Sequence, residues 1–200
     1  MMTSVITGDI INSRKVLDGA WLATLKAALN RYGQEPASWE IYRGDSFQLE
    51  VTPSEALKAA LLVKANIKQY KQLDARMAIG IGEKSFPATK ITESNGSAFV
   101  NSGECFEGLK KRTLAIRSPW PEIDRELNLY FDLALLTMDL WTGNASTILK
   151  TAMEHPELTQ QALAEKLKKT QSVISESLKR AGYEEIMRME KRYKELISNQ

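Results

Sequence analysis

Two hundred residues, 43% apolar and 26% charged, can bury one or two hydrophobic cores. This excludes a disordered chain, and 11 Gly and 6 Pro exclude a collagen-like or linker-dominated one. Lys plus Arg number 27 and Asp plus Glu 25, so the net charge of +2 excludes a strongly basic nucleic-acid coat and a strongly acidic tail.

One cysteine (Cys105) and one histidine (His155) leave no internal disulfide and no His-based metal site. The apolar runs are too short to span a bilayer and no basic region precedes the first one, so the expectation is a soluble, cytoplasmic protein with no membrane partner.

Val5-Ile6-Thr7 predicts a short strand that stops at Gly8-Asp9. Asp18 is a suitable N-cap for a helix with Trp21, Leu22, Leu25, Ala28 and Leu29 on one face, ending near Gly33. Residues 39–43 and 47–51 alternate with period two around Gly44-Asp45-Ser46, the pattern of a β-hairpin. Pro53-Ser54 opens a long apolar helix. Arg76 to Gly82 reads as a buried strand whose two glycines allow neighbouring backbone to come close. A loop to about Glu93 leads to a helix over Ala98–Lys111 and a last strand over Thr113–Arg117. From Glu122 onward no strand is predicted. A long apolar helix through Leu127, Leu129, Phe131, Leu133, Leu136, Met138 and Leu140 ends at Gly143-Asn144, and four shorter helices follow over 146–155, 159–167, 171–180 and 183–197. Mixed elements followed by helices alone imply an α+β domain over 1–121, a connecting helix over 122–144 and an all-α domain over 145–200.

The stretch from Leu158 to Gly182 is the most informative. Thr159 and Thr170 are placed to cap two short helices, anchored by Leu163 with Leu167 and by Ile174 with Leu178, around a Lys168-Lys169 turn. The second helix then exposes Gln171, Ser172, Ser175, Glu176 and Lys179, residue types that reach base edges and phosphates in the major groove. This pattern resembles the helix-turn-helix of bacterial regulators and sigma-factor-like domains, with Lys168 where glycine is common. The resemblance implies double-stranded DNA as partner and Lys168, Lys169, Thr170, Gln171, Ser172, Ser175, Glu176 and Lys179 as the contact residues. Lys166, Lys168, Lys169, Lys179 and Arg180 also form a local basic excess against Glu176 that the near-neutral total conceals.

In the first half, Asp9 at the predicted end of a strand and Asp45 at the tip of the hairpin pair two hard oxygen donors, as a magnesium ion on a nucleotide requires. The alternative is that both are turn carboxylates bound to backbone amides. Ser13-Arg14-Lys15 is suited to hold an anion near them. Thr7-Gly8-Asp9-Ile10, Gly44-Asp45-Ser46-Phe47, Arg76 to Gly82 and Asn95 to Asn101 together resemble the class III nucleotidyl cyclases and their diguanylate cyclase relatives. That resemblance implies a ferredoxin-like, cyclase-like palm domain, Asp9, the Ile10 carbonyl and Asp45 as magnesium ligands, and Arg14 and Asn101 as nucleotide-binding residues. Cys105 stands where the cyclases carry an arginine that stabilises charge on the transferring phosphate, and Lys110 and Lys111 lie one or two helical turns further on. The cyclase reaction is therefore not the leading expectation.

Residues 6–14, the hairpin and the helix-turn-helix together are similar to the SatD family of bacterial proteins, which implies a regulatory role without an assigned reaction. The leading expectation is a homodimeric DNA-binding transcription regulator whose cyclase-like domain senses a nucleotide ligand or dimerises. The alternatives are a magnesium-dependent nucleotide enzyme and a protein-interaction adaptor.

Overall fold

The computed structural model describes residues 2–16 and 19–200, so Asp18, the predicted cap, lies outside the described residues. Within them the chain is mixed α+β, with one five-stranded sheet and eight α-helices. β1 (Met2–Ile11) is central and pairs antiparallel with β3 (Ser46–Val51) and β4 (Asp74–Glu83). β2 (Trp39–Tyr42) flanks β3, and β5 (Leu114–Arg117) runs parallel to β4, giving the order β2-β3-β1-β4-β5. The predicted hairpin is present, with both Arg43 and Gly44 at positive φ in its three-residue turn.

β1 does not stop at Gly8-Asp9 but continues to Ile11, with Asp9 paired to Ser46 on one side and Arg76 on the other. Gly8 is a packing residue there, since a Cβ on it would sit 2.6 Å from the Phe47 ring.

Alternation along the strands divides the apolar residues between two faces. Ile6, Ile10, Met77, Ile79 and Ile81 join the main core with α1 (Ala20–Leu29) and α2 (Ala56–Ile67). Val5 and Ala78 turn to the other face, which α3 (Ser97–Glu107) covers. The two glycines of β4 let α3 lie almost on the sheet. A Cβ on Gly80 would stand 2.2 Å from the Ser102 amide nitrogen, and one on Gly82 2.6 Å from that of Ala98. The close approach is fastened by a 3.0 Å hydrogen bond between the Thr7 and Ser102 hydroxyls and by the Glu83 amide donating to Ser97 Oγ at 2.7 Å.

α4 (Pro121–Met138) packs on β5, and Asn128 satisfies the free edge of that strand. Its Oδ1 accepts from the Ile116 amide at 3.0 Å and its Nδ2 donates to the Ile116 carbonyl at 2.9 Å. Gly143 does not end this helix. It begins α5 (Gly143–Glu154), which Thr142 caps by accepting from the Ala145 amide. Glycine is needed there because the Gln69 carbonyl would lie 2.8 Å from a Cβ. α6 (Gln160–Leu167), α7 (Gln171–Arg180) and α8 (Tyr183–Ser198) complete the chain.

The tail returns to the sheet half. Tyr193 is buried and donates to the Pro53 carbonyl at 2.6 Å, Thr147 donates to Gln69 at 3.3 Å, and one apolar cluster runs from Ile6 to Ile197. No helix among the described residues is long and apolar enough to cross a membrane.

A buried cation sits where the two halves meet. Lys64 of α2 is fully buried, and its ammonium donates to Asp74 at 2.8 Å, Asp139 at 2.8 Å and Thr113 at 2.9 Å. Lys68 adds bonds to Asp74 at 3.1 Å and to the Asp139 carbonyl at 2.8 Å. Asp74→Asn with Asp139→Asn leaves this ammonium without a counter-charge. The expected loss in urea denaturation is about 3–5 kcal/mol. Lys64→Met is expected to cost less, because Asp74 keeps Lys68 and the Asp139 side chain, 41% exposed, stays hydrated. Gly80→Ala, which forces helix backbone away from the sheet, is expected to cost about 3 kcal/mol in the same assay.

Candidate functional site

The C-terminal end of β1 opens into a cleft of about 600 Å³. Its walls are Asp9 to Ile11, the loop Asn12–Lys15, Asp45 from the hairpin turn, Arg76 of β4 and the Lys110–Thr113 segment before β5. Asp9 and Asp45 thus share one cleft, but they hold different partners. Asp9 is gripped by Arg76, whose Nη2 and Nε donate to its two oxygens at 2.6 and 3.2 Å. The Arg76 guanidinium also stacks 4.8 Å from the centre of the Phe106 ring of α3, so the close packing of that helix fixes the cation. Asp45 accepts a 2.5 Å hydrogen bond from Ser13, and its carbonyl accepts from the Ile10 amide at 3.1 Å. Ile10 itself sends its side chain into the main core.

Arg14 lines the cleft, whereas Asn101 does not. The Asn101 amide donates to the Ile81 carbonyl at 2.8 Å, five residues along β4 from Arg76. Lys110 and Lys111, expected one or two helical turns along a continuous helix, reach the cleft by a turn instead. α3 ends at Glu107, and the chain reverses through Lys110 at φ 51°, bringing Lys110, Lys111 and Arg112 to the cleft. Among the described lining residues, six cations (Arg14, Lys15, Arg76, Lys110, Lys111, Arg112) face two carboxylates. The basic run 110–112 was the available sequence signal. Arg76 was hidden within an apolar strand, and its role depends on the register that sets it beside Asp9.

Asp9 is already engaged in bidentate fashion by Arg76, so a magnesium ion carried on a nucleotide would compete with that guanidinium for it, and no group of three His, Cys, Asp or Glu among the described residues could hold a metal by side chains alone. Surplus positive charge on a stacked guanidinium and a loop of lysines suits an anion, above all a phosphate.

The second surface is the α6–α7 pair. Thr159 and Thr170 cap the two helices by accepting from the Ala162 and Val173 amides at 3.2 and 3.4 Å. Lys168 takes the left-handed conformation that ends α6, at φ 51° and ψ 47°, a conformation glycine adopts more readily. Leu163, Ala164, Ile174 and Leu178 are buried, while Lys168, Thr170, Gln171, Ser172, Ser175, Glu176 and Lys179 are exposed, with Lys169 half-buried. Glu176 and Arg180 pair along the outer face of α7. The eight residues singled out in sequence therefore lie together around one turn and one helix face.

No protein-family model, no curated protein and no solved structure matches this chain.

Cys105 is a half-buried residue of α3, packed against Ala78, Leu109 and Ala115. Burial pushes its thiol up to about 11, Asp124 adds to the shift, and Arg117 and Arg112 oppose it. The thiolate is the reactive form, so alkylation by iodoacetamide at mildly alkaline pH is expected to run about a hundredfold slower in the folded than in the unfolded chain, measured by mass spectrometry.

Proposed function

We propose that this protein is a DNA-binding regulator that reads duplex DNA with α7 and senses an anionic ligand in the cleft at the end of β1. The observation that carries the reading is the α6–α7 pair. Two capped helices meet at a left-handed turn, and the second is pinned by Ile174 and Leu178 with a face of Gln171, Ser172, Ser175 and Lys179 left open. That arrangement supports a helix-turn-helix reading, in which the exposed N-terminal part of the second helix enters the major groove and nearby lysines meet phosphates. Lys168 and Lys169 stand beside the α7 N-terminus, whose free amides also favour a phosphate.

The sheet half supports the cyclase-like reading. The element order β1-α1-β2-β3-α2-β4 with strands ordered β2-β3-β1-β4 is the one expected of a ferredoxin-like palm, and Asp9 and Asp45 line one cleft, as the cyclase-like motifs imply. With Asp9 engaged by Arg76, the cleft favours binding of a nucleotide phosphate over magnesium-dependent turnover, and a magnesium-dependent nucleotide enzyme is the second reading. A ligand that prefers one arrangement of the chain would change DNA affinity by the difference in its own affinity for the two arrangements.

Fluorescence anisotropy with mixed genomic duplex fragments at low salt tests the DNA reading. Wild-type protein is expected to bind. Lys168→Glu, Lys169→Glu and Lys179→Glu together are expected to weaken binding at least tenfold and to flatten the salt dependence by about 2–3 ions. No wild-type binding, or binding indifferent to the triple charge reversal, removes this reading. Calorimetric titration with nucleoside triphosphate tests the cleft. Arg14→Ala and Arg76→Ala are expected to lower affinity whether or not magnesium is present, whereas a requirement for magnesium together with Asp9 and Asp45 would favour the enzyme.

A further inference from the structure

α4 has two apolar faces. Leu127, Phe131, Leu135 and Met138 are buried in the main core. On the opposite side Leu129, Leu133, Leu136 and, in the turn that ends the helix, Leu140 are 57%, 58%, 71% and 78% exposed. Their intervals of four, three and four residues put them in one line, the spacing of a coiled-coil seam. The remaining exposed large apolar residues among those described, such as Phe86, Val100 and Val173, are scattered singly over other elements.

We infer that this seam is the contact between two copies of the chain, with α4 pairing against α4 about a two-fold axis. A stripe of identical side chains is complementary to itself, as a two-fold contact requires. The four leucines expose roughly 400 Å² per copy, the size of the largest apolar patch on a typical monomer, which is often functional. Two stripes with their rims reach the roughly 1,200 Å² at which specific interfaces begin. A free helix with so short a seam would not pair stably, but this one is already held straight by its buried face, so pairing orders little.

The rim sets the direction. Asp132 and Asp139 border one edge of the seam together with Lys111 and Arg112, which leaves it neutral, whereas Lys179, Arg180, Arg188 and Arg192 against Glu185 make the groove at the other edge basic. Parallel helices set each basic edge against the partner's neutral one, whereas antiparallel ones would set the two basic edges together. Arg112 already holds Asp132, and Glu126 holds Arg192, so these charges orient the pair and add little strength.

The contact does not depend on what α7 binds, and its test uses no DNA. Sedimentation equilibrium of the full chain is expected to give twice the 22.5 kDa chain mass. Leu133→Glu with Leu136→Glu, both at exposed positions, is expected to raise the dimer dissociation constant at least about a hundredfold with unchanged far-ultraviolet circular dichroism. Val100→Glu, an exposed apolar position on α3, is the control expected to leave the dimer intact. In a Cys105→Ala background, Leu136→Cys alone is expected to form an interchain disulfide, since parallel pairing sets each seam position against itself. A wild-type monomer up to sub-millimolar concentration, or a dimer that survives both glutamates, overturns the contact. A dimer without that disulfide overturns its parallel direction.

Discussion

The fold is organised around one buried charge. Taking an ammonium out of water costs several kcal/mol even after relaxation, and only close counter-charges offset it. Lys64 obtains them from parts of the chain far apart in sequence: Asp74 at the start of β4, Thr113 just before β5, and Asp139 at the end of α4. Thr113 also donates to Asp139 at 2.8 Å, which closes the cluster. Its strict geometry locates the C-terminal end of α4 against α2, and with it the start of the helical tail. Apolar packing alone would tolerate sliding of these elements, whereas three short hydrogen bonds to one nitrogen do not.

The cleft follows from a second constraint, the absence of side chains at Gly80 and Gly82. Because α3 can rest on β4, Phe106 reaches the Arg76 guanidinium that Asp9 holds by hydrogen bonds. Ending α3 at Glu107 then frees Lys110 to Arg112 to turn back. A larger residue at position 80 would lift the helix and, with it, the wall that fixes the cation. The charge of the cleft is thus a consequence of backbone packing several residues away.

Much of this was legible in sequence, for physical reasons. The hairpin, the paired glycines of β4 and the caps of α6 and α7 are local signals, and each occurs where its turn or spacing requires. Gly8 misled because an isolated glycine in a strand equally marks a break or a close neighbour, and only the position of Phe47 decides. Gly143 misled in the same way, its neighbour being the Gln69 carbonyl of a distant helix end. The two carboxylates were found, but the partner of Asp9 was not, because Arg76 reaches it only through the β1–β4 register. The Lys64 cluster was invisible for the same reason. Its lysine sits in the middle of an apolar helical run, and its partners come from three separate segments.

The segment 110–113 connects these features. Lys110, Lys111 and Arg112 face the cleft, while the next residue, Thr113, is bound into the Lys64 cluster. β5, which begins at Leu114, is held along its free edge by Asn128 of α4. The cleft's cations outnumber its carboxylates even with Arg76 and Arg112 ion-paired, and an anion between them would relieve the repulsion most where the lysines can approach. The hydrogen bonds of Thr113 oppose such an approach, so binding of an anion would draw on the same short stretch of backbone that positions α4. Contiguity of this kind becomes coupling only if the segment has two arrangements of different affinity for the anion. The Asp139 end of the cluster is the place where two arrangements would differ at lowest cost, because its side chain is 41% exposed against 13% for Asp74.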